Sequence, residues 1–121
     1  MSSHQPIVIV DDDTDVRKAL DEVLAEKGYT TRLFDSDRSA LTYLRHGDGS
    51  GPSLILLDLM MPEMSGWQFR EEQLKDERLR DIPVVVITAS RYGANSIAAS
   101  EVLFKPVALG ELVEAVHRNA R

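Results

Sequence analysis

Cysteine is absent from the 121 residues, which excludes a disulfide framework and a thiolate metal site and suits a reducing compartment. Basic runs are absent as well. The 14 Lys and Arg are scattered among 20 Asp and Glu, for a formal net charge of -6, so the electrostatic footprint of direct nucleic-acid binding is missing. Aromatic residues are scarce, and Trp67 and Phe69 stand without an interleaved series of Lys and Arg, which makes them packing residues rather than a base-stacking platform. No apolar run approaches the length needed to cross a bilayer, and Met1 to Pro6 has no apolar signal-peptide core. The expected location is the cytoplasm, without membrane association. No internal repeat is present.

What the chain does contain is the balance of one globular domain. Hydrophobic residues make up 43% and charged residues 28%, and a chain of this size buries roughly two-thirds of its unfolded surface around a single core. The expected organisation is a polar tail over residues 1–6 followed by one domain over 7–121.

Four short apolar runs read as strands: Ile7 to Val10, Leu54 to Leu57, Val84 to Ile87 and Val102 to Phe104; the more polar Tyr29 to Phe34 is a fifth. Ile7 to Val10 and Val84 to Ile87 are continuous and β-branched, with none of the polar alternation of a half-solvated strand, which predicts a parallel sheet covered on both faces. Helical periodicity fills the intervals. Val16, Leu20, Val23 and Leu24 share one face, with Thr14 or Asp13 as N-cap and Gly28 as the stop. Ala40, Leu41 and Leu44 mark a second helix ending near Gly47, Trp67 with Leu74 a third after Gly66, and Leu109, Leu112, Val113 and Val116 the last. Alternating strands and helices predict a doubly wound α/β domain.

The polar residues fall in a pattern. Val10 is followed by Asp11, Asp12 and Asp13; Leu57 by Asp58; Ile87 by Thr88; Phe104 by Lys105. In an open parallel sheet these carboxyl-terminal ends share one edge, where doubly wound proteins hold ligands. A single Asp after a strand usually caps a turn, as Asp13 and Asp15 are expected to do, but four strand ends together outweigh that explanation. Crowded carboxylates either rise in pKa or are neutralised by a cation, and a hard divalent cation is the natural solution. Oxygen donors without thiolates favour Mg²⁺, with Mn²⁺ as a substitute. Lys105 then supplies positive charge, Thr88 a hydroxyl, and Asp58 a nucleophilic carboxylate. His4, His46 and His117 are dispersed and read as solvated. Lys105-Pro106 is a candidate cis bond.

On the residues Ile7-Val-Ile-Val-Asp-Asp-Asp13, Leu56-Leu-Asp-Leu-Met-Met-Pro-Glu-Met-Ser-Gly66, Val86-Ile-Thr-Ala89 and Lys105-Pro106, the chain resembles the receiver domains of bacterial response regulators, from Ile7 to about His117. The resemblance implies a flavodoxin-like, five-stranded parallel sheet in the order 2-1-3-4-5 with helices on both faces. It implies that Asp58 is the phosphoacceptor, that Asp11, Asp12, Asp58 and the Met60 carbonyl hold Mg²⁺, and that Thr88 and Lys105 contact phosphoryl oxygens. A sensor histidine kinase or histidine phosphotransfer protein would be the donor and a downstream protein the target. The domain would catalyse only its own phosphorylation and dephosphorylation.

Two departures from the family stand out. The stretch from Thr88 to Lys105 is short and Arg91 to Ser100 has few apolar anchors, which predicts a shortened or irregular fourth helix. Val102 occupies a position where the family commonly has Tyr or Phe, with Tyr92 or Phe104 as candidate substitutes. Met60 and Ser90 flank the expected path of attacking water, and a thioether orients water poorly, so slow self-hydrolysis is expected. Three other functions fit the residues less well. A haloacid-dehalogenase-type phosphatase lacks its second Asp, since Leu59 and Met60 follow Asp58; a flavin module is opposed by three carboxylates after the first strand; a degenerate receiver acting as an unphosphorylated binding module is disfavoured by the complete set of site residues.

Overall fold

The structure, a computed structural model, describes residues 5–46, 51–60, 65–89, 97 and 99–121. In chain order the elements are β1 Ile7–Val10, α1 Thr14–Glu26, β2 Thr31–Phe34, α2 Asp37–Arg45, β3 Leu54–Leu57, α3 Gly66–Lys75, β4 Val84–Thr88, β5 Glu101–Phe104 and α4 Leu109–Asn119. All neighbouring strands are parallel, in the order β2-β1-β3-β4-β5. The predicted fourth helix falls between β4 and β5, where residues 90–96 and 98 lie outside those described.

The period of two along each strand divides one sheet between two cores. Val8, Val10, Ile55, Leu57, Val84 and Val86 turn to the face covered by Ala40, Leu41 and Leu44 of α2 and Phe69 of α3. Ile7, Ile9, Leu54, Leu56, Val85 and Ile87 turn to Leu20 and Leu24 of α1 and Leu112, Ala115 and Val116 of α4. Every residue of β1, β3 and β4 is buried, which is why these runs are uninterrupted by polar residues. Each such Val, Leu or Ile contributes about 1.5–3 kcal/mol on leaving water.

Local chemistry sets the helix ends. Asp13 is the N-cap of α1, its Oδ1 accepting from the N–H groups of Asp15 and Val16 at 2.9 and 3.2 Å, and such a cap is worth about 1 kcal/mol. Past the end of α1, Gly28 takes φ +93°, the left-handed turn that glycine adopts without a Cβ penalty. Ser65 and Gln68 form a capping box at the start of α3.

The predicted third helix forms after Ser65 and Trp67 packs against the core, but its predicted companion Leu74 does not. Leu74 is 44% exposed, whereas Phe69 and Gln73 are fully buried. The Gln73 amide donates to the carbonyls of Leu79 and Ile82 at 2.8 and 2.9 Å, so a polar residue anchors the connection to β4. Strand limits shift slightly: Thr88 is the last residue of β4 rather than the first beyond it, β5 begins at Glu101, and β2 begins at Thr31. The Lys105-Pro106 bond is cis. Among the described residues, no helix is long and apolar enough to cross a membrane.

Candidate functional site

The parallel sheet carries the ends of β1, β3, β4 and β5 to one edge. Backbone hydrogen bonds extend the pairing just past the strands: Asp11 N–H donates to Phe34 O at 3.1 Å, Asp58 N–H to Val10 O at 3.0 Å, and Lys105 N–H to Thr88 O at 2.9 Å. The main-chain pairing thus reaches one residue past the ends of β1, β3 and β5.

At this edge one carboxylate oxygen from each of Asp11, Asp12 and Asp58 lies within 4.8 Å of the others. Asp11 and Asp58 are buried and Asp12 is exposed. The Lys105 ammonium donates to Asp11 Oδ2 at 2.8 Å and to Asp58 Oδ2 at 3.3 Å, across 94 and 47 residues of chain. Asp58 Oδ1 accepts from the Met60 N–H at 3.2 Å, and Asp11 Oδ1 from the Asp13 N–H at 2.9 Å. Thr88 is fully buried at the end of β4. The Met60 side chain is exposed. Ser90 and Tyr92 lie outside the described residues.

Charge does not balance within the cluster. Three carboxylates face one ammonium, and the remaining two negative charges match one divalent cation. Burial, first of all, pushes the Asp58 carboxyl above the usual aspartate range, and Asp11 adds to the rise; the Met60 N–H and the Lys105 ammonium pull the other way without cancelling it. Around Lys105, burial is the largest single influence and acts downward, yet the hydrogen bonds and charges of Asp11 and Asp58 together hold the ammonium above the ordinary lysine range. An all-oxygen, partly open, net-negative cluster suits a hard cation such as Mg²⁺, which binds one or two carboxylates and keeps several waters.

The close packing around Asp58 depends on Gly66. A Cβ there would stand 2.7–2.8 Å from the Leu59 side chain, the Leu59 Cα and the Asp58 carbonyl, so only glycine lets the start of α3 close onto the end of β3. Arg17 escaped the sequence reading: its Nη1 donates to the Asp11 carbonyl at 2.6 Å. Its signal was its place one helical turn after the N-cap Asp13.

The model of the response regulator receiver domain matches residues 7–117. The chain belongs to this family. Among related proteins, the receiver is 32% identical to response regulator Rre1 of Synechocystis, over 93% of this chain and 50% of that protein. It is also 32% identical to the phosphate regulon transcriptional regulatory protein PhoB of Escherichia coli, over 91% of this chain and 49% of that protein. The chain thus spans about half the length of these two relatives. Among solved structures, response regulator protein TrrA of Thermotoga maritima, in complex with Mg²⁺-BeF, is 29% identical with a TM-score of 0.83, covering 94% of this chain and 97% of that one. Family membership makes this chain a receiver of the two-component type, a phosphoacceptor switch rather than an enzyme acting on other substrates.

Proposed function

We propose that Asp58 takes a phosphoryl group from a phosphohistidine of a sensor histidine kinase or histidine phosphotransfer protein. Asp11, Asp12, Asp58 and the Met60 carbonyl would hold Mg²⁺, with Mn²⁺ as a substitute, and Thr88 and Lys105 would contact phosphoryl oxygens. The observation that carries this reading is the Lys105 ammonium shared between Asp11 and Asp58 beside an excess of carboxylate.

A bound divalent cation neutralises charge on the transferring group, which is the main demand of phosphoryl transfer. The chain's own groups do the rest. An Asp58 carboxylate oxygen attacks phosphorus, the P–N bond breaks, and its electron pair leaves with the imidazole nitrogen. Lys105, already held above the ordinary lysine range, stays charged and follows the developing negative charge away from Asp58. The Met60 N–H, bonded to Asp58 Oδ1, fixes the plane of the carboxylate. Loss of the phosphoryl group to water resets the switch. An apolar groove lined by Val16, Leu20, Pro106, Val107 and Leu109 opens beside Lys105, a surface suited to the protein that presents the phosphohistidine. The output is a shift between two packings, favoured by the phosphoryl group, that a downstream protein reads.

Intact mass after incubation with a small phosphodonor tests this. The native chain gains one phosphoryl group only with Mg²⁺, and Asp58→Asn gains none. Equal labelling of the variant would remove Asp58 from its role; no labelling under any condition would favour an unphosphorylated binding module.

A further inference from the structure

Arg17 stands one helical turn beyond Asp13, the N-cap of α1. Its Nη1 donates to the main-chain carbonyl of Asp11 at 2.6 Å and its Nη2 to the Thr14 hydroxyl at 3.3 Å. Asp11 is thereby held at every polar group it has. Its N–H is bonded to Phe34 O, its carboxylate to Lys105 Nζ and the Asp13 N–H, and its carbonyl to Arg17.

The consequence falls on the next residue. The Asp11 carbonyl belongs to the planar peptide that leads into Asp12, so fixing that carbonyl restricts the direction in which Asp12 leaves the chain. On its other side Asp12 is bounded by Asp13, fixed as the N-cap of α1. Asp12 is exposed, and packing does little to aim its carboxylate. The two flanking peptides do, and one of them is held by a side chain.

We propose that Arg17 is a positioning residue: its two-pronged guanidinium holds the peptide between Asp11 and Asp12 so that the Asp12 carboxylate faces Asp11 and Asp58, and so sets the affinity of the cluster for a divalent cation. The inference rests on the reading of these three carboxylates as the cation site. Arginine suits the task because its planar fork reaches two acceptors, the Asp11 carbonyl and the Thr14 hydroxyl, in one geometry; lysine is a point charge.

Two influences of Arg17 have opposite signs, which makes the idea testable. A guanidinium beside the cluster repels a bound cation, so removing its charge tightens binding. Removing the clamp loosens it, and partners behind metal ligands are typically worth about 10–100-fold in affinity. The clamp is therefore expected to prevail.

The experiment is calorimetric titration of the full chain with Mg²⁺ alone, at low ionic strength and without phosphodonor. The native protein, Arg17→Met and Arg17→Lys are compared, with thermal melts of each in the absence of cation. The Met variant is expected to bind Mg²⁺ about tenfold more weakly, the Lys variant to recover part of the loss, and the cation-free melting temperatures to differ by a few degrees at most. In ¹⁵N–¹H spectra of the cation-free protein, the Asp12 amide should shift in the Met variant while that of Asp58 stays. Binding by the Met variant as tight as native, or tighter, overturns the proposal. Should the Met variant not fold, the Lys variant decides, since it keeps the charge: weaker binding supports the clamp and native affinity overturns it. A native chain that binds no Mg²⁺ overturns the cation-site reading itself, and this inference with it.

Discussion

The two ends of the sheet handle polar groups in opposite ways. At the amino end they close on one another. Ser53 N–H donates to Pro6 O at 2.9 Å, its hydroxyl to Gln5 O at 3.0 Å, and Arg121 N–H to Ser53 O at 3.0 Å. At the carboxyl end Asp11 and Asp58 are buried at 2% and 5% exposure with one ammonium between them. The same strands run through both ends. The amino end satisfies its main-chain carbonyls with hydrogen-bond donors, Arg121 Nε to Pro52 O at 3.3 Å among them; the carboxyl end keeps Asp11 and Asp58 from water with more carboxylate than counter-charge beside them. The closed end and the charged end are thus separated along the strand axis by about the length of a strand.

The sharpest way to break this contrast is Lys105→Met, which leaves Asp11 and Asp58 buried without their shared counter-charge. The cation-free protein should lose about 3 kcal/mol, read as a lower denaturation midpoint, and Mg²⁺ should restore a larger part of its stability than it adds to the native chain. Because burial raises the Asp58 carboxyl above its unfolded range, its ionisation disfavours the folded state. The deficit is therefore present once pH rises through the carboxyl range and shrinks as pH falls. An unchanged midpoint without cation would show that Lys105 does not hold the two carboxylates.

Ser53→Ala acts at the opposite end. Loss of the hydroxyl bond to Gln5 O should cost about 1 kcal/mol, lowering the melting temperature by about 4 °C, and should leave Mg²⁺ affinity unaltered. A change in that affinity would mean that the two ends are coupled. The smallest effect on the fold belongs to Met60→Asn, since an exposed side chain can be replaced at a cost within about 0.5 kcal/mol. Its effect should appear instead in the lifetime of the phosphorylated form, shortened several-fold because a carboxamide can orient the attacking water. Equal lifetimes in the two proteins would overturn the expectation that Met60 slows self-hydrolysis.

Much of this molecule was readable in advance because buried parallel strands advertise themselves. Ile7 to Val10, Leu54 to Leu57 and the run from Val84 stand out as unbroken apolar segments since both of their faces are covered. The Gly28 stop and an N-cap at Asp13 or Thr14 are legible because backbone geometry demands particular residues there, and the structure places the cap at Asp13. Strand β2 was harder to delimit: at the sheet edge, with Arg32 and Leu33 exposed, it has no continuous apolar signature. The buried face of α3 is legible at Trp67 but not at Gln73, which is buried for its hydrogen bonds to Leu79 O and Ile82 O, and no hydrophobic pattern encodes those. At the site, Asp11, Asp12, Asp58, Thr88 and Lys105 stand out by their places at the ends of apolar runs, while the contact of Arg17 with a main-chain carbonyl leaves no mark beyond helical spacing.

The sequence by itself determined which residues leave the ends of the strands and, through local propensity and capping, where most helices begin and stop. Those are short-range consequences of side-chain shape and backbone hydrogen bonding. Only the tertiary structure decided that a single ammonium is shared by Asp11 and Asp58 and that Asp12 completes the cluster from an exposed position. Such contacts join groups 47 and 94 residues apart. Their energy exists only once the sheet has aligned its edges and excluded the water that would otherwise screen them.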